Sequence, residues 1–283
     1  MAVVDHVAPE LPDGPLVVDP ACGDGRWLIA VARRCPEARL VGYDTDPLAI
    51  EAAHETLRLA GVTAELRCAD ALAPDAVPAC DLVVGNPPFV RPQHLPREVA
   101  DDLWSRFSVA TDKVDVSVCF AERALDRAPR MAFVLPANLL SLSSFAALRV
   151  RLLRAGVDAV LSLPPRTFPA DVHAVVVLCG PADRRQAGQV ADGQVRIAGP
   201  LSLSAEAWAL DGELPELPGR PLGERVSLHM GVVCGDYERY VHRGRASADD
   251  RPTCRGRDVH RWRIAATDEH VRYDPADMLA RKP

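Results

Sequence analysis

The sequence predicts an α/β fold: a mostly parallel sheet with helices on both faces, plus a small truncated C-terminal element. Three observations lead there. Short apolar runs of strand length alternate with stretches of helical pattern. The strand runs are apolar throughout instead of alternating with polar residues, as expected for strands buried on both faces. The ends of the early strands carry glycines, acids and an Asn-Pro-Pro corner, where open α/β sheets place their ligands. In order, strand 16–18 leads into helix 27–32, in which Trp27 is expected in the core. Strand 39–43 precedes helix 47–53, and strands 64–68 and 81–84 follow. After a longer insert, helix 117–128 precedes strand 130–135, helix 144–155 precedes strand 157–163, and strand 173–179 closes the series. Gly/Pro-rich residues 180–200 and 211–223 read as loops or linker. The domains are drawn at 1–200, a linker at 201–223 and a separate, incomplete element at 224–283.

The chain has 283 residues, 48% of them hydrophobic and 25% charged, which is enough for a sizeable core. No apolar run approaches the ~20 residues that cross a bilayer, and the first residues lack a signal-peptide pattern. Eight cysteines are scattered without a CxxC or a Cys/His pair at zinc spacing. That pattern predicts free buried thiols in a reducing cytoplasm and no metal site. The net charge of −6 argues against coating nucleic acid through bulk electrostatics. From Gly219 onward, however, 13 Lys+Arg face 10 Asp+Glu, a net of +3, so any polyanion contact is expected in the tail.

The strand ends carry the chemistry. In Val18-Asp19-Pro20-Ala21-Cys22-Gly23-Asp24-Gly25, the glycines permit a tight turn and close approach of a ligand, and a helix with free N–H groups follows. Asp44 ends the second strand about 20 residues past the glycines, placed to accept both hydroxyls of a ribose. Asp46, just before Pro47, suits a helix N-cap instead. Asp70 follows the third strand and suits an adenine amino group. The fourth strand end reads Asn86-Pro87-Pro88-Phe89.

In this order the motifs resemble S-adenosylmethionine-dependent methyltransferases, and "DPACGDG" with "NPPF" resembles the DNA adenine N6-methyltransferases of type I and type IIG restriction-modification systems. "KVDVSVCFAERAL" (113–125), "RMAFVLPANLL" (130–140) and "FPADVHAVVVLCG" (168–180) are similar to later segments of that group's catalytic domain. "LGERVSLHMGVVCGDYERYV" (222–241) and "CRGRDVHRWRI" (254–264) are similar to the start of its target-recognition region. The resemblance implies a Rossmann-like class I methyltransferase fold with S-adenosyl-L-methionine as cofactor, held by Asp19, Ala21, Gly23, Gly25, Asp44 and Asp70. It implies double-stranded DNA as partner, with the target adenine flipped out, and a recognition subunit as a further candidate partner.

The resemblance assigns Asn86, Pro87, Pro88 and Phe89 to catalysis. The adenine amine is a poor nucleophile because its lone pair is delocalised into the ring. Two acceptors aimed at its N–H bonds, the Asn86 side-chain oxygen and the Pro87 carbonyl, favour a pyramidal nitrogen. The prolines fix φ and remove donors, and Phe89 stacks on the flipped base. No strong base is required, and positioning and electrostatics supply the rate. Asp115 and Arg91 are candidates for supporting or contacting the substrate; a helix start and a solvated cation are their plain alternatives.

The sequence also departs from that group. "AVVDHVAPELPDGP" contains no aromatic-Thr-Pro element, and the tail is short for a target-recognition region. Two other readings therefore stay open: a protein glutamine N5-methyltransferase, which uses a similar corner, and a non-catalytic cofactor- or DNA-binding subunit or fragment.

Overall fold

The computed structural model describes residues 2–111, 114–164, 167, 173–204, 207–210, 237–261 and 263–272. Two compact units divide the chain, Met1–Glu216 and Leu217–Pro283. The first begins with the short helix α1 (Ala2–Val7) and then alternates strand and helix as β1 (Leu16–Asp19), α2 (Arg26–Arg34), β2 (Arg39–Asp44), α3 (Pro47–Ala60), β3 (Glu65–Cys68) and β4 (Leu82–Gly85). It continues through α4 (Arg97–Arg106), α5 (Ser117–Arg127), β5 (Met131–Pro136), α6 (Ala146–Ala155), β6 (Val157–Ser162) and β7 (Ala174–Cys179).

These strands belong to one nine-stranded sheet in the order β3-β2-β1-β4-β5-β7-β6, extended by β8 (Gln186–Ala191) and β9 (Gln194–Pro200). The pairs β3–β2, β2–β1, β1–β4, β4–β5 and β6–β8 are parallel; β7 runs antiparallel to both neighbours, and β8–β9 is an antiparallel hairpin. The expected loop at 180–200 is thus corrected. Asp192-Gly193 takes left-handed φ values of 51° and 71°, the conformation that closes a tight hairpin, and this outweighs the weak strand character of the flanking residues. Beyond it, β10 (Ser202–Leu203) pairs with β11 (Trp208–Ala209); residues 211–223 lie outside the described residues.

Neighbouring residues of one strand feed opposite cores, which explains the continuous apolar runs. Val17, Leu82 and Val84 pack on one face with Leu28, Val31 and Leu57 of α2 and α3. Val18 and Val83 pack on the other with Leu103, Val118 and Leu148 of α4, α5 and α6. Helix α3 shows local signals agreeing with the global fold: Asp46 caps Leu48 N–H, Pro47 occupies the first turn, and Gly61 ends the helix at φ 67°. Trp27, expected in the core, is half-buried and packs at the edge of the cluster that contains Leu28 and Val31. Among the described residues seven cysteines are unpaired; five are buried, while Cys68 and Cys254 are exposed, contrary to the expected burial. Among the described residues no helix is long and apolar enough to cross a membrane.

The second unit contains α7 (Tyr237–Tyr240) and a three-stranded antiparallel sheet of β12 (Val241–Arg243), β13 (Asp250–Pro252) and β16 (Glu269–Arg272), with β16 central. A separate hairpin joins β14 (Val259–His260) to β15 (Arg263–Ile264). Its organising groups are polar. Asp250 is buried and accepts N–H bonds from Ala246 and Ser247, and its Oδ2 lies 3.0 Å from His242 Nε2. Arg255 makes a two-pronged bond to Glu269. The expected extent of this element, 224–283, includes residues outside those described.

Leu28 is fully buried between α2 and the sheet. Leu28→Ala should lower unfolding free energy by about 2–5 kcal/mol, seen as a reduced urea midpoint with little change in slope.

Candidate active site

Parallel pairing in the order β3-β2-β1-β4 brings the C-terminal ends of four strands to one edge. The register sets Asp19 beside Gly42 and Asp44 beside Cys68, so each strand releases its next residues into the same crevice. The crevice straddles β1, where the chain's strand order reverses between β2 and β4. A cleft of about 270 Å³ opens there, lined by Pro20, Ala21, Asp44, Thr45, Ala69, Asp70, Ala71, Asn86, Pro88 and Phe120.

The glycine turn is held from below and from the side. Asp19 is fully buried, and its Oδ1 accepts the Ala21 N–H at 3.1 Å. Its Oδ2 has no partner among the described residues. Burial, assisted by the Asp44 charge and opposed by the Ala21 bond, pushes the Asp19 carboxyl up to about 7. Gly23 (φ 52°) donates its N–H to Asp44 Oδ2 at 2.9 Å, and a Cβ at Gly23 would meet nothing within 4 Å. Gly25 (φ 80°) immediately precedes α2, against Leu57 and Ala53 of α3. Neither glycine lines the cleft itself; both shape the turn carrying Ala21.

Asp44 is fixed at both oxygens, since Oδ1 accepts the Asp46 N–H at 3.0 Å. Each oxygen keeps a lone pair for a hydroxyl donor. Asp70 is exposed and closes a turn by accepting the Leu72 N–H at 2.8 Å.

The corner at the end of β4 is the tightest point. Gly85 has φ 152°, and a Cβ there would lie 2.7 Å from Asp19 Oδ1. Pro87 is buried while Asn86 and Pro88 are exposed, so the corner is anchored at its centre and presents the carboxamide outward. Asn86 has no hydrogen-bond partner among the described residues. Phe89 is half-buried against the core cluster containing Leu28 and Val84, and it is not a lining residue of the cleft. Phe120 of α5 supplies the aromatic wall instead and is only 7% exposed. Phe120 and Thr45 escape sequence reading. Phe120 fits the apolar stripe of its helix, and nothing local marks the end of a core residue that looks into a crevice.

Just past the corner, Val116 N–H bonds Val90 C=O at 2.9 Å, tying the start of α5 to the chain leaving Phe89. Asp115 is half-buried and bonds the Ser117 N–H and hydroxyl, as a helix-start acid does. Burial raises its carboxyl above the usual range, opposed by the Ser117 bonds and by the Arg91 charge. Arg91 itself is exposed. Among the described residues no group of three or more His, Cys, Asp or Glu is placed to hold a metal.

This sheet order with β7 reversed between β5 and β6, and a cleft at β1–β4, make the first unit a class I S-adenosylmethionine-dependent methyltransferase fold. A Listeria monocytogenes protein described as such superposes with TM-score 0.54 at 19% identity, over 63% of this chain and 57% of that one. The methyltransferase subunit of a type I restriction-modification system from Streptococcus thermophilus gives TM-score 0.53 at 20% identity, over 70% and 48%.

By sequence, residues 3–111 match the methyltransferase small domain model and residues 75–155 the Eco57I restriction-modification methylase model. The type II methyltransferase M.TthHB8I of Thermus thermophilus is 33% identical over 180 residues, 60% of this chain and 40% of that protein. The release factor glutamine methyltransferase of Mycolicibacterium smegmatis is 39% identical over 100 residues, 34% of this chain and 35% of that protein. The chain thus matches well under half the length of either relative.

Asp19 sets a pH dependence. Its folded pKa of about 7 stands above the ordinary 3.8, so the native state holds this proton more tightly than the unfolded chain. Its contribution is fully present below pH ~4 and declines until pH ~7, by an amount on the order of 4 kcal/mol. Chemical denaturation at pH 4 and pH 8 should show a smaller loss of stability for Asp19→Asn than for wild type. Equal losses would place the titration elsewhere.

Proposed function

We propose that the chain is a methyltransferase that uses S-adenosyl-L-methionine to methylate the exocyclic N6 of adenine in DNA, on a base turned out of the duplex. The single observation that carries this reading is the exposed, partner-free Asn86 carboxamide on a rigid two-proline corner, lining the same cleft as Asp44 and Asp70. The M.TthHB8I similarity and the restriction-modification methylase match over the corner support DNA as substrate.

The residues present fit the cofactor. Asp44 keeps acceptors for two ribose hydroxyls, Asp70 offers an exposed carboxylate for an adenine amine, and Phe120 offers an aromatic wall. The buried, unpaired Asp19 Oδ2 beneath Pro20 and Ala21 suits a cationic ligand group. When bound, the cofactor supplies an electrophilic methyl on a sulfonium.

The chain's part is to make the amine nucleophilic. Asn86 Oδ1 and the Pro87 carbonyl accept its two N–H bonds and draw the lone pair out of the ring. With no N–H on residues 87 and 88, the turn has no competing donor, and the fixed φ holds the carbonyl's direction. Transfer would form the N–CH3 bond as the S–CH3 bond breaks and the sulfur keeps the electron pair as a neutral thioether; the amine proton, acidic once the nitrogen is alkylated, would leave to solvent, so no base of raised pKa is needed. Pro88 lines the cleft beside Asn86, while Phe89 anchors the corner through its packing on the core instead of meeting the base. Asp115 and Arg91 support the substrate side through the Val90–Val116 bond. The arginine-rich second unit contributes DNA contact, alone or with a recognition subunit. The unpaired cysteines suit a reducing cytoplasm.

A second reading, methylation of a glutamine amide in a protein, is favoured by the similarity to the release factor enzyme over 100 residues. An amide nitrogen presents the same delocalised lone pair to the same corner.

Transfer of labelled methyl to unmethylated DNA should be detectable for wild type and fall about 10²–10³-fold for Asn86→Ala. Equal incorporation by both removes the catalytic assignment, and label in protein but not DNA selects the glutamine reading.

A further inference from the structure

The connection from β3 to β4 carries Asp70 into the cleft, and its shape is fixed from two sides. On the cleft side Asp70 Oδ1 takes the Leu72 N–H and the Asp70 carbonyl takes the Ala73 N–H at 3.1 Å, winding residues 70–73 into a tight turn. On the far side the Leu72 carbonyl receives two guanidinium N–H groups. Arg106 Nη1 reaches it from the end of α4, and Arg123 Nη2 reaches it at 3.0 Å from α5. Both guanidiniums lie 5.3 Å from the Phe107 ring centroid. Arg106 is further held by Asp102, and the Asp70 charge acts on it. One turn along α5, Arg127 bonds Asp75 at 2.7 Å.

Two like charges converging on one carbonyl are a poor device for stability alone. They repel each other, and Arg123 Nε is buried without a partner among the described residues. Partly buried cations lose solvation that apolar packing would not lose. What the arrangement does achieve is direction: two planar donors from different helices fix one carbonyl, and that carbonyl belongs to the turn whose first residue is Asp70.

We infer that Arg106 and Arg123 are positioning residues for Asp70: a two-helix clamp on Leu72 sets the affinity of the cleft for the adenine-bearing end of its cofactor. The inference rests on the cleft being the cofactor site. Helix α4 also lies in the segment between the Asn86–Phe89 corner and α5. The clamp therefore joins the chain leaving the substrate corner to the cofactor end of the same cleft.

The test is calorimetric binding of S-adenosylhomocysteine by the full chain, with Arg123→Met, Arg106→Met, Asp70→Ala and the double variants. Each arginine variant should weaken binding about five- to tenfold in the wild-type background and less than twofold in the Asp70→Ala background, because the clamp acts through Asp70. A purely structural role predicts the same loss in both backgrounds, and that result overturns the inference. Arg123→Lys keeps the charge and the stem over Phe107, so it serves if the Met variant does not fold. It should weaken binding in the same Asp70-dependent way, and unchanged affinity overturns the inference. If wild type binds and Asp70→Ala weakens binding while no arginine variant does, the clamp fails and the cofactor reading stands. If wild type does not bind, both fail.

Discussion

The close approach of Gly85 to Asp19 is the constraint from which the site follows. β1 and β4 are parallel neighbours, and at their C-terminal ends the chain must leave in two directions: one into the glycine turn, the other into the Asn-Pro-Pro corner. There is room for both only because residue 85 has no side chain; a Cβ would stand 2.7 Å from the Asp19 carboxylate. With that space free, Asp19 can sit fully buried and hold the turn through Ala21, and Asn86 can emerge into the cleft. A hydrogen-bonding acid and a side-chain-free strand end are thus one packing solution, and the cleft is its outer surface.

That solution leaves part of the site under tension. Asp19 is buried with one oxygen unpaired, and its carboxyl is raised by desolvation. A buried polar atom without a partner costs stability, of order 1–3 kcal/mol. Such groups are common where a ligand completes the bonding. The rest of the cleft is the opposite case. Asp44 is held at each oxygen by one backbone N–H group, and Asp70 is braced by its own turn and by two arginines behind it. The molecule thus combines rigid acceptors at the strand ends with one unsatisfied acid beneath them.

The corner shows how local chemistry and tertiary packing divide the task. Its prolines set φ and withhold donors whatever surrounds them. Burial of Pro87 decides that the carboxamide points outward, and the neighbouring strand decides that it points into the crevice shared with Asp44 and Asp70. Phe89 illustrates the converse. An aromatic after Asn-Pro-Pro suggests a stacking surface, yet Phe89 packs against the core cluster that contains Leu28 and Val84, while Phe120 from a distant helix walls the cleft.

By itself the sequence determined the alternation of strands and helices, the capped start of α3 at Asp46-Pro47, and the identity of the acids at the strand ends. Each depends on residues close in the chain, through periodicity, caps and fixed φ. The tertiary structure alone decided the crossing order β3-β2-β1-β4 that brings those ends together, and the hairpin at 186–200 that lengthens the sheet. It alone placed Phe120, Arg106 and Arg123 around residues 70–72. These depend on contacts between residues 34 to 51 positions apart or on which strand adds to which edge. A pattern of neighbouring residues records what each segment prefers to be, and only the packed chain records what it faces.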